Sequence, residues 1–232
     1  MKTIGLLGGM SWQSTVTYFR LINEAVADRL GGYHSARIVM VSVDFDKIEK
    51  LQSSGQWDAA GTLLAEEARR VEAAGADLLL VCTNTMHKVA VQIEQAIGIP
   101  LIHIADAAGE SIRSAGLTTV GLLGTRFTME EEFYRSRLEA GFDLTVLTPG
   151  SADRNEIDRI IYHELVRGII RDESRERCLE IVDSLCARGA QGVIEGCTEI
   201  PLLLGTEEAV VPLFDTTTIH AHRAVDLALG SD

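Results

Sequence analysis

Short apolar runs alternate along the chain with longer stretches in which apolar residues recur every three or four positions. The short runs predict strands at Thr3–Leu7, Arg37–Val43, Asp77–Cys82, Leu101–His103, Thr119–Leu123, Leu144–Leu147, Gly192–Glu195 and Val210–Leu213. The periodic stretches predict helices at Trp12–Leu30, Trp57–Ala74, Thr85–Ile97, Ala105–Ala115, Met129–Ala140, Asn155–Ile170, Ser174–Arg188 and Thr216–Leu229. Glycines at Gly75, Gly116, Gly141 and Gly189 stand where four of these helices should stop. Strands that are apolar almost throughout and separated by helices read as parallel strands buried on both faces. The fold class is therefore α/β.

The pattern also repeats. Thr3-Ile4-Gly5-Leu6-Leu7-Gly8 returns as Thr119-Val120-Gly121-Leu122-Leu123-Gly124, Gly75-Ala76 with its strand as Gly189-Ala190, and Ile99-Pro100-Leu101 as Val211-Pro212-Leu213. The offsets are 116, 114 and 112 residues, in chain order. Three ordered blocks with so little drift imply duplication. The chain is expected to form two pseudo-twofold-related βα domains, one from residues 1–103 with 215–232 and the other from 104–214. Ligands of open parallel sheets bind at the carboxyl ends of the strands, so the active site is expected between the halves, where two such ends share a cleft.

Composition narrows the function. The 232 residues carry a formal net charge of -13, which disfavours nucleic acid and anionic membranes as partners but leaves small anions open. No apolar run reaches the roughly 18 residues of a membrane span, and the start of the chain lacks the pattern of a secretory leader. The four cysteines, Cys82, Cys178, Cys186 and Cys197, form no CxxC pair, pointing to reduced thiols in a cytoplasmic protein without a structural metal. Cys178 and Cys186 lie eight apart in one helical stretch and read as packing residues. His220 and His222 would need further ligands to hold a metal. The Gly5–Gly9 segment is not a dinucleotide fingerprint; it reads as a close-approach loop that carries Met10 over a substrate. Asp106 and Asp215 follow the matched Pro-Leu blocks as helix caps.

Superposing the second repeat block without a gap sets Cys82 on Gly196, Thr83 on Cys197, Asn84 on Thr198 and Thr85 on Glu199. Two strands thus end in small polar clusters whose backbone N–H groups and side chains suit a bound carboxylate. The segments Val81-Cys82-Thr83-Asn84-Thr85-Met86-His87 and Val193-Ile194-Glu195-Gly196-Cys197-Thr198-Glu199-Ile200-Pro201 resemble the two signatures of the aspartate/glutamate racemases, and the opening Gly5-Leu6-Leu7-Gly8-Gly9-Met10-Ser11 resembles that family's first strand and loop. The resemblance covers essentially the whole chain. It implies a pyridoxal-independent amino-acid racemase, usually dimeric, that needs no cofactor. The resemblance also implies that one domain's residue removes the α-proton and the other's delivers a proton to the opposite face.

That family uses two cysteines, the first directly before the Asn of the first signature. Here Thr83 stands in that place and Cys82 one residue earlier. Motif matching nominates Cys82, whereas the ungapped repeat favours Thr83; a one-residue shift on a strand turns the side chain to the other face, so both cannot point at the substrate. Cys197 and Thr83 are the expected catalytic pair. Asn84, Thr85 and Thr198 are candidate donors to the substrate α-carboxylate, with Glu199 completing the second cluster and His87 ordering the first or lying on a helix surface. Family members specific for aspartate hold the second carboxylate with basic side chains. At the corresponding places this chain offers Gln52 and, on a helix through Ile160–Val166, Glu164, which points to substrates beyond aspartate and glutamate. Decarboxylation or cis–trans isomerisation by a single cysteine, and metabolite binding without catalysis, are the alternatives.

Overall fold

The computed structural model describes residues 1–205 and 209–230, and they divide into two compact units. The first comprises Met1–Ile104 and the chain from Thr217; the second is Ala105–Thr216. Each is built on a parallel sheet.

In the first unit β1 (Ile4–Gly8) lies between β2 (Ile38–Ser42) and β3 (Leu78–Val81). Alternation of side chains along these strands divides the core in two. Ile4, Leu6, Leu80 and Cys82 pack with Tyr18, Ile22 and Val26 of α1 (Trp12–Leu30) and with Ala221, Ala224 and Val225 of α10 (Thr216–Leu229). Leu7, Leu79 and Val81 face the other way, towards Leu64, Ala68 and Val71 of α3 (Trp57–Ala73). The buried positions of α1, at 14, 15, 18, 22, 25 and 26, follow the helical stripe that the sequence shows.

The second unit orders its strands β5 (Thr145–Leu147), β4 (Thr119–Gly124), β6 (Val193–Gly196) and β7 (Leu213–Asp215). Its apolar cluster joins Leu123, Val193 and Cys197 to α8 (Ser151–His163) and α9 (Asp172–Ala187).

The duplication is visible in atomic detail. Asp77 N–H donates to Thr3 O and Gln191 N–H to Thr119 O, at 2.8 and 2.9 Å. Leu79 N–H donates to Pro100 O and Val193 N–H to Pro212 O, both at 2.9 Å. Gly75 and Gly189, with φ of +95° and +102°, turn the chain out of α3 and α9 in a conformation that favours glycine. Gly5 and Gly121 sit where those same helices press on the sheet: a Cβ would stand 2.5 Å from Val71 and 2.9 Å from Leu185.

Departures from the expected elements have local causes. Leu101 makes only a single bridge to Leu79, in the place that β7 takes in the second unit. The stretch expected to be helical over 85–97 is a 3-10 turn, Thr85–Val89, followed by α4 (Ala90–Glu94). The helix expected from Met129 is split into α6 (Arg126–Glu130) and α7 (Glu132–Phe142). Gly141 lies inside α7, and Asp143 supplies the left-handed cap. A helix absent from the sequence reading, α2 (Phe45–Ser53), carries Gln52; its Asp44 cap accepts from Asp46 N–H. The remaining helix, α5, spans Ile104–Ser114. Among the described residues no helix is long and apolar enough to cross a membrane.

Candidate active site

The two clusters singled out by the repeat lie at the carboxyl ends of β3 and β6. At the end of β3, Cys82 N–H still pairs with Leu7 O at 2.9 Å, so Cys82 keeps the strand's alternation and turns into the apolar layer with Leu80. It is 0% exposed, and burial pushes its thiol far above the ordinary range. One residue on, Thr83 N–H donates to Val81 O at 2.9 Å, a tight turn that takes the chain out of the sheet. Thr83 is half-buried. Asn84 and Thr85 follow as buried polar residues at the head of the 3-10 turn.

His87, buried on that turn, orders the cluster and is not a surface residue. Its Nδ1 lies 2.8 Å from Thr83 O, and Ile104 N–H donates to Nε2 at 3.2 Å. A carbonyl can only accept and an amide N–H can only donate, so the proton sits on Nδ1 and the ring is neutral.

At the end of β6 the order changes. Gly196 takes the place of Cys82, because a Cβ there would lie 2.7 Å from Leu123 O. Cys197 takes the place of Thr83. It keeps 7% exposure where Cys82 keeps none. Its thiol donates to Glu199 Oε2 at 3.2 Å, and the Thr198 hydroxyl donates to the same oxygen at 2.6 Å. Burial, and next the Glu199 carboxylate, hold the Cys197 thiol well above its ordinary pKa.

The other expected site residues fall into two groups. Met10 is buried in the loop after β1, in the same apolar cluster as Ile48 and Met86. Gln52 is buried on α2, its Nε2 2.7 Å from Met86 Sδ. Met10, Gln52, Asn84 and Thr85 therefore gather at the carboxyl edge of the first sheet. Glu164 is not carried on a continuous helix through 160–166, as the sequence suggested. The helix stops at His163, and Glu164 turns inward, 3% exposed, where the Arg159 guanidinium donates to Oε1 at 2.8 Å and the Ser174 hydroxyl to Oε2 at 2.6 Å. Burial opposes its charge, but Ser174 and Arg159 together hold its carboxyl below the ordinary range. Asp106 is likewise not a cap: it lies in the first turn of α5 and pairs with Arg137 through contacts of 2.5 and 2.7 Å.

Several residues were missed from the sequence. Arg159 and Ser174 carried no signal, since their partner is recognisable only in space. Glu195 did carry one, as a lone acid in the apolar run Val193-Ile194-Glu195. It is 2% exposed, sits opposite Leu123 on one side and Asp215 on the other, and its Oε1 has no hydrogen-bond partner among the described residues. Burial, reinforced by Asp215, pushes its carboxyl up to about 8. His220 is buried between Tyr18 Oη, at 2.8 Å, and Ile102 O, at 2.7 Å, while His222 is exposed. No cluster of three or more acidic, His or Cys side chains suited to a metal occurs among the described residues.

The same fold recurs among solved structures. A provisional Asp/Glu racemase from Yersinia pestis has a crystal structure that matches with a TM-score of 0.94 at 52% identity, over 99% of this chain and 100% of that one. An aspartate racemase homologue from Pyrococcus horikoshii matches with a TM-score of 0.87 at 32% identity, over 99% and 100%. A glutamate racemase from Persephonella marina is 26% identical over 142 residues, 60% of this chain and 52% of that one. The sequence model of the Asp/Glu/hydantoin racemases matches residues 7–224. The chain belongs to the Asp/Glu/hydantoin racemase family.

Proposed function

We propose that the chain is a cofactor-independent amino-acid racemase in which Cys197 and Thr83 carry protons to and from opposite faces of the substrate Cα. The observation that carries this reading is the pair of equivalent strand ends. At equivalent positions of the repeat the chain places a thiol held by a carboxylate and a half-buried hydroxyl, and it seals the competing Cys82 in the core.

The chemistry follows from these groups. Cys197 as thiolate takes the α-proton: the Cα–H bond breaks, an S–H bond forms, and the electron pair spreads into the substrate carboxylate. The α-proton is far less acidic than a thiol of pKa about 8.5, and each unit of mismatch costs roughly 1.4 kcal/mol. A thiol pKa raised by burial narrows that gap while reducing the fraction of thiolate. The carbanion still needs preorganised donors, which the reading assigns to Asn84, Thr85 and Thr198. The Thr83 hydroxyl then gives its proton to the other face of Cα, and a solvent proton replaces it. A hydroxyl is the weaker acid–base group, so the Thr83 step limits the rate. Gln52 and Met10 line the first sheet's share of the site. Glu164, its carboxylate held by Arg159 and Ser174, is the second unit's residue at the substrate side chain. With Gln52 and Glu164 where aspartate-specific members carry basic side chains, the substrate range extends beyond aspartate and glutamate.

The test is a panel of L-amino acids incubated in deuterated water and analysed by mass and chirality. The reading expects a deuteron at Cα together with inverted product. Neither deuterium nor inversion on any amino acid contradicts it. One observation favours a second reading: of the two signature cysteines Cys82 is sealed and only Cys197 keeps some exposure, 7%, which suits a reaction in which a single thiol delivers one proton after loss of CO2. Carbon dioxide released from a dicarboxylate, without wash-in at the Cα of amino acids, would select that reading.

A further inference from the structure

We propose that His87 is the positioning residue for Thr83, and that its Nδ1–H bond to the Thr83 carbonyl fixes where the hydroxyl proton is delivered. This rests on the racemase reading above and names a residue that the reading leaves without a role. Thr83 stands just where the chain abandons the sheet. Its N–H is used in a tight turn to Val81 O, so the strand ladder no longer fixes its orientation. What holds its carbonyl is His87 Nδ1, four residues on, at 2.8 Å.

The ring is held from several sides. Ile104 N–H donates to Nε2 at 3.2 Å, which sets the tautomer that can donate to Thr83. His103 meets it edge-on at a centroid distance of 4.5 Å, and His220 does so at 5.8 Å. His220 is in turn fixed between Tyr18 Oη and Ile102 O. All three histidines are at most 4% exposed. Three buried imidazoles are an expensive way to fill a core that leucine would fill, unless the donor and acceptor atoms are used. The one that bears on chemistry is His87 Nδ1, because its bond ends on the residue that carries the proton.

The prediction concerns one face of Cα only. Removal and return of a proton by Cys197 gives deuterium wash-in with retention, whereas inversion also needs Thr83. His87→Phe, which keeps the ring shape and loses both hydrogen bonds, should lower the ratio of inversion to wash-in about 100-fold, the scale of a misplaced reacting group. Wash-in with retention should stay near the wild-type rate. His87→Asn places an amide N–H near the Nδ1 position and should restore most of the ratio. His87→Gln reaches the Nε2 position instead and should not. If His87→Phe fails to fold, the comparison of Asn with Gln still decides. A wild-type ratio in His87→Phe, equal loss of wash-in and inversion, or identical behaviour of Asn and Gln would overturn the assignment while leaving the racemase reading standing. Wild-type protein that neither exchanges nor inverts any amino acid would overturn both.

Discussion

The ends of β3 and β6 occupy the same place in two copies of one pattern, yet they solve the local problem differently. Behind β6 a glycine fits where Leu123 O leaves no room for a side chain, and the thiol follows it, held by Glu199. Behind β3 a cysteine fills that position and is consumed by the core, and the half-buried residue that follows it is Thr83. The lesson is that cysteine identity matters less than register. One step along a strand separates a fully buried thiol from one that keeps 7% exposure and a carboxylate partner.

The largest expected effect that bears on this comparison comes from Cys197→Ala. Wash-in and inversion should both fall at least roughly 1,000-fold, in the upper range of an acid–base group's contribution, with the fold retained by circular dichroism. If activity survived, the second strand end would not be the reactive one. Glu199→Gln should come next, with turnover reduced roughly 10- to 100-fold. It should also move the Cys197 titration to lower pH, because the carboxylate that raises it is gone; thiolate absorbance against pH reads that change. Thr83→Cys sharpens the comparison by making the two ends chemically alike. Initial rates from the L and D enantiomers should draw together, by up to about tenfold, since a thiol is the better proton carrier of the two.

A stability prediction separates Glu195 from the site. Its carboxyl is pushed up to about 8 in the folded chain, above the ordinary carboxylate value. Between those two values the folded state binds more protons than the unfolded one, so stability falls as pH rises through that window and is level on either side. Glu195→Gln removes this loss. It should gain little near pH 4 and a few kcal/mol by pH 9, at about 1.4 kcal/mol for each pH unit that separates the two values, as read by denaturant melts across pH. Cys82→Ala should have the smallest effect on catalysis, namely none, with a stability loss of about 1–2 kcal/mol for a truncated core side chain.

The sequence made much of the fold legible for one reason: most strands are apolar on both faces, and the repeat doubled the signal. Where it failed, tertiary contacts decided. Helix α2 carries a stripe, Phe45, Ile48 and Leu51, but over only nine residues, too short a stretch for periodicity alone to mark a helix. Helix α8 ends because Glu164 turns in to meet Ser174 and Arg159, and Ser174 is ten residues away and unmarked by any motif. The two strand ends were legible as candidates, and the choice between Thr83 and Cys82, which motif and repeat posed, is one that the burial of Cys82 informs. The support beneath them was not legible, since the partner of His87 Nε2 is a backbone amide 17 residues on.

Progress curves run to completion from the pure L and the pure D enantiomer of one substrate test the central claim most directly. A catalyst that moves protons to and from both faces of Cα leaves the equilibrium between enantiomers untouched, so both curves should end at the same racemic mixture, and with Cys197→Ala neither should leave its starting point. Curves that stop at separate plateaus while the protein remains active would contradict the account.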